Sequence, residues 1–350
     1  MKKKNYILIF KNDAVGDLTQ SLNAIDNIIK NNSEHLITLF LSDLSEKFSF
    51  LIPNQSINYQ KLNHNLSILE KVKLFFFIMT NKVSKIYILA PHNFYFFLSF
   101  IYRNVKFYGF CVDGLNNYKR PNLFFRKFLY KYVINDRSAI FKRKSTKDLQ
   151  IELTKDKINK NYEFRFNLNL NKSDVLKKYL PKNYIYFHIK KKITDQLGWG
   201  IKELNFLFDE LLKYFENVVL TKDLGKDSNT EIFKNRFNVF DFSMNVYKDN
   251  KSKIIFFDNI EGVDLYNLIK YSRKIVAFHG MMTNLASLEK KPVLDLFHCN
   301  INNIEDYRKY RNSFYEFKPS YRNYDFIIPS KDIKKTIRKM AYSLNKSNNG

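Results

Sequence analysis

Residues 6–30 read YILIFKNDAVGDLTQSLNAIDNIIK, and the way this stretch folds decides how the rest of the chain is organised. Residues 6–10 are a short apolar run with the character of a buried strand. Leu18, Leu22, Ile25 and Ile29 recur at the three-to-four-residue spacing that lays one face of a helix on a core. The polar residues between them, with Gly16 and Asp17, are expected to form the loop from strand end to helix start. In an open α/β sheet such a loop borders the ligand crevice, because strand carboxyl ends and the first turns of the following helices point there. Gly16 offers either backbone angles closed to other residues or close approach for a ligand. Asp17 has two readings, a cap on the helix or a carboxylate facing the crevice.

Moving outward, strands are predicted at 35–41, 57–62, 85–90 and 105–110, with helices at 66–79 and 93–104 apolar enough to be buried. Such alternation means parallel strands joined by crossover helices. It lapses from about residue 138, and the charged stretch at 161–173 is read as the interdomain connection. A second series follows: strands at 184–189, 217–221, 253–257, 274–278 and 292–297, and helices at 201–215, 230–235, 261–271, 281–289 and 330–344. The expectation is an α/β chain of two doubly wound, Rossmann-like domains, 1–165 and 173–329, with 330–350 as a closing helix.

A length of 350 residues with 34 Phe and 23 Tyr is enough for two cores. Cys111 and Cys299 lie far apart without metal-ligand spacing, so neither a disulfide framework nor a zinc site is expected, and a reducing, cytoplasmic setting fits. The opening MKKKNYILIF is read as no export signal. The longest apolar stretch, 94–102, falls well short of the roughly 20 residues that cross a bilayer. The acidic residues at 223–227 and Asp241 are not spaced as metal ligands, and no metal or cofactor is expected.

The formal net charge of +25 attracts polyanions, although a composition rich in Lys, Asn, Ile and Phe accounts for part of the excess. No zinc-finger, helix-turn-helix or RNP-type signature offers a way to read bases, so nucleic acid is not the expected partner. Phe75, Phe76 and Phe77 and the aromatic run 94–100 lie beside Lys71, Lys73, Arg103 and Lys106 and are read as core. Residues 120–132, RPNLFFRKFLYKY, alternate Arg and Lys with aromatics and are the better candidate for peripheral contact with an anionic membrane.

Two further stretches carry candidate chemistry. The strand at 184–189 runs into Lys190, Lys191 and Lys192, followed by Trp199 and a helix with Leu204, Leu207 and Leu211. A lysine there can pair with an anion, with Lys192 the first choice and Lys190 the alternate; the competing reading is a solvated basic loop. Residues 275–297, IVAFHGMMTNLASLEKKPVLDLF, place a strand end at Phe278-His279-Gly280 and a helix start at once, with Thr283 and Asn284 in its first turn. Strand, glycine turn and helix N-terminus make an anion site that suits a nucleotide diphosphate. His279 is either a hydrogen-bonded structural residue or a ligand contact. His92 and His188 also lie at strand ends, His92 on the acceptor side.

The opening IFKNDAVGDLTQSLNAI resembles that of family 9 glycosyltransferases, the heptosyltransferases of the lipopolysaccharide inner core. Lys11, Gly16 and Asp17 are in register, and Asn23 stands where the family often has proline. Tyr108-Gly109-Phe110 extends the likeness, as do Gly280, Leu285, Ala286, Leu288 and Pro292. The family's aspartate and downstream histidine are missing in register around Gly280. His279-Gly280 with Thr283-Asn284 is instead similar to a His-Gly-Ala-x-x-Thr-Asn motif of other inverting GT-B transferases.

The resemblance implies a GT-B fold with the two domains facing across a cleft and the closing helix packing back toward the first. It implies a metal-independent, inverting glycosyltransferase with Asp17 as general base. Lys11, Gly16 and His92 would lie on the acceptor side, and Lys190, Lys192, His279, Gly280, Thr283 and Asn284 on the donor. The expected partners are a nucleotide-diphosphate sugar, as co-substrate rather than cofactor, and an anionic glycolipid or glycan acceptor at the inner face of the cytoplasmic membrane. A catalytically silent GT-B relative that binds nucleotide or glycan is the alternative, and a basic nucleic-acid-binding protein a more distant one.

Overall fold

A computed structural model describes residues 5–52, 57–113, 124–136, 144–155, 168, 170–223, 229–298, 304–319 and 321–346. Residues 120–123 of the basic aromatic stretch, 161–167 of the expected connection, Asp227 and Cys299 lie outside these. The chain folds as two compact units. One comprises Met1–Arg165 with Ile301–Lys318, and the other Phe166–Asn300 with Pro319–Gly350.

The first unit grows around β1 (Tyr6–Lys11), whose residues from Ile7 onward are all buried. A strand apolar on both faces belongs in the middle of a parallel sheet. It pairs with β2 (Leu36–Leu41) on one side and β4 (Val83–Ile88) on the other. With β3 (Asn58–Lys61), β5 (Lys106–Asp113) and β6 (Lys131–Asp136) this makes a six-stranded parallel sheet in the order β3-β2-β1-β4-β5-β6. The helices are α1 (Val15–Lys30), α2 (Asp43–Glu46), α3 (Ile68–Thr80), α4 (Asn93–Ile101) and α5 (Thr146–Thr154).

Right-handed crossovers put α1 on one face of this sheet. The helices that step the opposite way, α3 and α4, lie on the other. Phe10 stacks on Phe40 at 4.9 Å and on Tyr95 at 4.1 Å, linking β1, β2 and α4 in one aromatic core. Cys111 is buried there, and burial pushes its thiol up to about 12.

The second unit holds α6 (Asp174–Tyr179), β7 (Ile185–Ile189), α7 (Lys191–Leu197), α8 (Ile201–Leu211), β8 (Val218–Lys222), α9 (Asn229–Arg236), β9 (Asn238–Asp241), β10 (Val246–Lys248) and β11 (Ile254–Asp258). It continues with α10 (Gly262–Tyr271), β12 (Lys274–Phe278), α11 (Met281–Leu288) and β13 (Val293–Leu296). After α12 (Ile304–Phe317), which belongs to the first unit, come β14 (Tyr324–Ile327) and α13 (Ile333–Lys346). The sheet order is β10-β9-β11-β8-β7-β12-β13-β14, parallel except for the edge hairpin β9-β10.

Several expectations are revised. Helices α3 and α4 are only half buried: Ile68, Leu69, Val72, Phe76 and Met79 on α3, and Phe97, Phe100 and Ile101 on α4, stay exposed. The basic aromatic stretch ends in strand β6. The lysine loop after β7 is short, because Lys191 and Lys192 already belong to α7. Helices α5 and α7 and strands β9, β10 and β14 were too short or too polar to show a periodicity.

Ile333, Met340 and Leu344 of the closing helix, α13, join the core of the second unit, and buried Lys274 donates to the Ser343 carbonyl at 2.8 Å. Met340→Ala should therefore cost about 2–5 kcal/mol, the usual loss for deleting a buried large side chain, in urea unfolding of the full chain. An unchanged midpoint would make α13 an appendage.

Candidate active site

In both units the polar residues of interest gather at the carboxyl ends of parallel strands, the place where open α/β sheets bind ligands. In the first unit the loop after β1 is pinned from several directions. Asn12 accepts from the Tyr95 hydroxyl at 3.0 Å and donates to the Asn63 carbonyl at 2.7 Å. The Asp13 carbonyl accepts from Ser42 and Ser45, at 2.8 and 2.6 Å. Lys11, only 2% exposed, pairs with the Asp13 carboxylate at 2.7 Å. Lys11 thus orders the loop from beneath.

Gly16 and Asp17 are not in this loop. Both already lie in the first turn of α1, whose N-cap is Ala14, so Asp17 is not the cap. Gly16 is helical and needs none of the angles reserved for glycine. Asp17 is half-buried at the positive end of the helix, where an anion is favoured. His92 is the N-cap of α4, its Nδ1 accepting from the Phe94 N–H at 3.2 Å, and burial lowers its pKa. That is a complete structural role for His92.

Asp13 was not foreseen, because an aspartate between Asn12 and Ala14 reads as an ordinary turn residue. Its Oδ1 is buried without a hydrogen-bond partner. Burial pushes its carboxyl up to about 6; Lys11 pulls against this, and the charge of Asp17 adds to it. Two carboxylates of different environment therefore stand together at the start of α1. At the ends of β2 and β3 lies a cavity of about 380 Å³ with Phe40, Leu62, Leu74 and Phe77 on its apolar wall and Lys61 and Lys73 among its polar residues.

In the second unit, four neighbouring strands, β8, β7, β12 and β13, supply the site. The register sets Thr221 beside His188, His188 beside Ala277 and Ala277 beside Asp295. His188 is buried, bonded to Thr221 at 2.8 Å and Asp223 at 3.2 Å. Burial lowers its pKa, and Asp223 opposes that. Gly280 has φ +147, open only to glycine, and is the N-cap of α11. Lys190 donates to the His279 carbonyl at 2.6 Å and lies so close over Gly280 that a Cβ there would clash with its Nζ. Burial lowers the Lys190 pKa, with Asp223 and Asp295 opposing it.

Asp295, fully buried, is the organiser that sequence reading missed. It accepts from His279 Nδ1 at 2.5 Å, Tyr324 at 2.8 Å and Thr283 at 3.1 Å. Its signal was legible: a carboxylate inside the apolar strand VLDL has to be answered by buried donors. Thr283 is thereby a support rather than a contact, and Asn284 is buried in the same turn. Lys192, the first choice, is exposed on α7; Lys190 is the lysine brought to the glycine turn.

No protein-family model and no curated protein matches the sequence. Solved structures do match the fold. The chain aligns over 98% of its length with an E. coli ADP-heptose LPS heptosyltransferase II, covering 99% of that chain at 13% identity with TM-score 0.64. It aligns over 98% with a family 9 glycosyl transferase from Veillonella parvula DSM 2008, covering 98% of that chain at 12% identity with TM-score 0.62. A UDP-GlcNAc 2-epimerase from Methanocaldococcus jannaschii follows, with 98% and 93% covered, 12% identity and TM-score 0.55. The resemblance read from the sequence thus extends to the fold, two parallel α/β units in the GT-B manner, and at these identities the likeness is one of fold.

Asp13 gives a pH test. Held more tightly when folded, its proton adds stability that is complete below about pH 4 and lost as pH rises through about 6. The stability of the wild type relative to Asp13→Asn should fall by about 3 kcal/mol between about pH 4 and pH 7. Urea unfolding across that range would show it, and a flat difference would mean that Asp13 titrates elsewhere.

Proposed function

We propose that the chain is a metal-independent, inverting glycosyltransferase that moves a sugar from a nucleotide-diphosphate donor to an anionic glycolipid or glycan at the inner face of the cytoplasmic membrane. The observation that carries this reading is the turn after β12. Gly280 opens the N-terminus of α11, and Lys190 is seated against it between the carboxylates Asp223 and Asp295. Free N–H groups, the helix dipole and one ammonium suit a diphosphate. Binding of a diphosphate would also supply Lys190 with the full anionic partner that its burial calls for.

In the reaction the acceptor oxygen attacks the anomeric carbon on the side opposite the diphosphate. The carbon–oxygen bond to the diphosphate breaks with its electron pair, and Asp17 takes the hydroxyl proton. Lys190 and the α11 N-terminus stabilise the charge that builds on the leaving group. The E. coli and Veillonella proteins with this fold support the reaction class by what they are named for. A non-catalytic nucleotide-binding relative is the second reading. It is favoured by Phe278-His279, which stand before Gly280 where the family has aspartate and threonine.

Gly280→Ala, which strains the backbone and displaces Lys190, should weaken binding of nucleoside diphosphates at least about tenfold by calorimetry, since strain at such angles costs about 1–3 kcal/mol. Lys190→Ala should do the same, whereas exposed Lys192→Ala should leave binding within about twofold. Equal losses for the two lysines would move the donor site off this turn.

Asp17→Asn should lower transfer in a nucleotide-sugar panel by about 100-fold to 10,000-fold, the range of general base catalysis. Because Asp17 is not the helix cap, its melting temperature should hardly move. Full activity in this variant would remove Asp17 as base, and wild type that binds nucleotide without turnover would leave the non-catalytic reading.

A further inference from the structure

One face of the first unit is apolar where solvent should be. On α3, Ile68, Leu69, Val72, Phe76 and Met79 are exposed, Ile68 by 80%, and the 68-72-76-79 spacing makes them a single stripe along the helix. On α4, Phe97, Phe100 and Ile101 are exposed as well, and in the helical turn that follows, Phe124 is 60% exposed. These elements are joined. The Tyr102 hydroxyl donates to the Phe75 carbonyl at 2.8 Å, and the two rings are 5.4 Å apart. Phe100 lies 5.2 Å from Phe128, and Phe97 lies 6.0 Å from Phe125. The nine exposed side chains therefore cover one side of one sheet rather than being scattered, which is the pattern of an interaction surface.

The rim is cationic. Residues 66–80, 93–109 and 124–132 contain Lys71, Lys73, Arg103, Lys106, Arg126, Lys127 and Lys131 against a single acid, Glu70. Glu70 is spent on the start of α3, accepting from the Ser67 and Asn63 N–H groups at 2.7 and 2.9 Å. The cations lie along the rings. Arg103 is 3.8 Å over Phe128, Lys127 is 4.5 Å over Phe124, and Lys106 is 4.8 Å over Tyr130. Long basic side chains laid on aromatics with their heads outward are suited to a boundary between hydrocarbon and phosphate.

We propose that this face seats the protein on an anionic lipid bilayer, with the α3 and α4 side chains in the zone between headgroups and acyl chains and the rim cations among lipid phosphates. Charge selects this occupant. A second copy would bring one cationic rim against another in a chain of net charge +25. Nucleic acid offers nothing to Ile68, Leu69, Val72 and Met79, which cannot stack on bases. The sequence had pointed to 120–132 alone and assigned α3 and α4 to the core; their exposure is what makes a surface of them. The inference goes beyond the transferase reading and does not rest on it, since its test measures no transfer.

The full chain should co-sediment with vesicles of phosphatidylglycerol and phosphatidylethanolamine, weakly with phosphatidylcholine, and less as salt rises. Phe76→Ser with Phe100→Ser, both exposed and so neutral for the melting temperature, should reduce partitioning at least about tenfold without changing charge. Replacing Arg103, Lys106 and Lys127 by glutamine should reduce it about fivefold for each charge removed. The same charge change made at Lys334, Lys335 and Arg338 on α13 should change it less than about twofold. Failure of the wild type to bind anionic vesicles would overturn the proposal. So would equal losses from the two sets of glutamines, or a stable dimer in sedimentation velocity that the serine variant dissociates.

Discussion

A parallel strand ends where its crossover begins, so a parallel sheet delivers the residue after every strand to the same edge. Both units are organised by that constraint. In the first it collects Lys11, Asn12 and Asp13 from β1, Ser42 from β2 and Asn63 from β3, and lets them bond to one another across chain separations of 29 to 51 residues. In the second it collects His188, Lys190, Asp223 and His279 around Asp295 in β13. None of these contacts is local, and each depends on the register that the apolar strands impose. The polar sites are therefore a product of the cores beneath them.

Burial then sets the electrostatics. Charged groups taken out of water have to be answered: Asp295 is met by three donors, Lys11 by Asp13 two residues on, and Lys234 on α9 by Asp241 and Asp258 at 3.0 Å each. Lys190 is the incomplete case. Its ammonium bonds a backbone carbonyl, and burial lowers its pKa while two carboxylates only oppose the shift. A group held charged against a desolvation cost, seated on a glycine turn at a helix N-terminus, is poised to gain from an anion.

Most of the apolar strands and long helices were legible because their periodicity is enforced by burial, whereas α12 was not foreseen. Ile7 to Phe10 and Ile275 to Phe278 are apolar throughout, and Ile185 to Ile189 are so apart from His188, as suits strands covered on both faces. The site was legible only in part. Gly280 announced itself as a glycine at a strand end, but the choice between Lys190 and Lys192 turned on where α7 begins, and its first residue is Lys191. Asp295 and Asp13 act through partners distant in the chain, so their roles follow from register rather than from neighbours. The apolar stripe of α3 misled for the opposite reason: hydrophobic spacing reports that one helix face wants to leave water, not that protein covers it.

The two carboxylates at the start of α1 divide unequally. Asp13 has its carboxyl pushed up to about 6, a basicity suited to taking a proton near neutrality, but its Oδ1 is buried and its Oδ2 is held by Lys11. A base has to come within hydrogen-bond reach of its substrate, so geometry ranks before pKa. Asp17 is half-buried in the first helical turn, outside the pinned loop. On the transferase reading Asp17 accepts the proton. Asp13 stays with Lys11 and orders the loop that leads into α1.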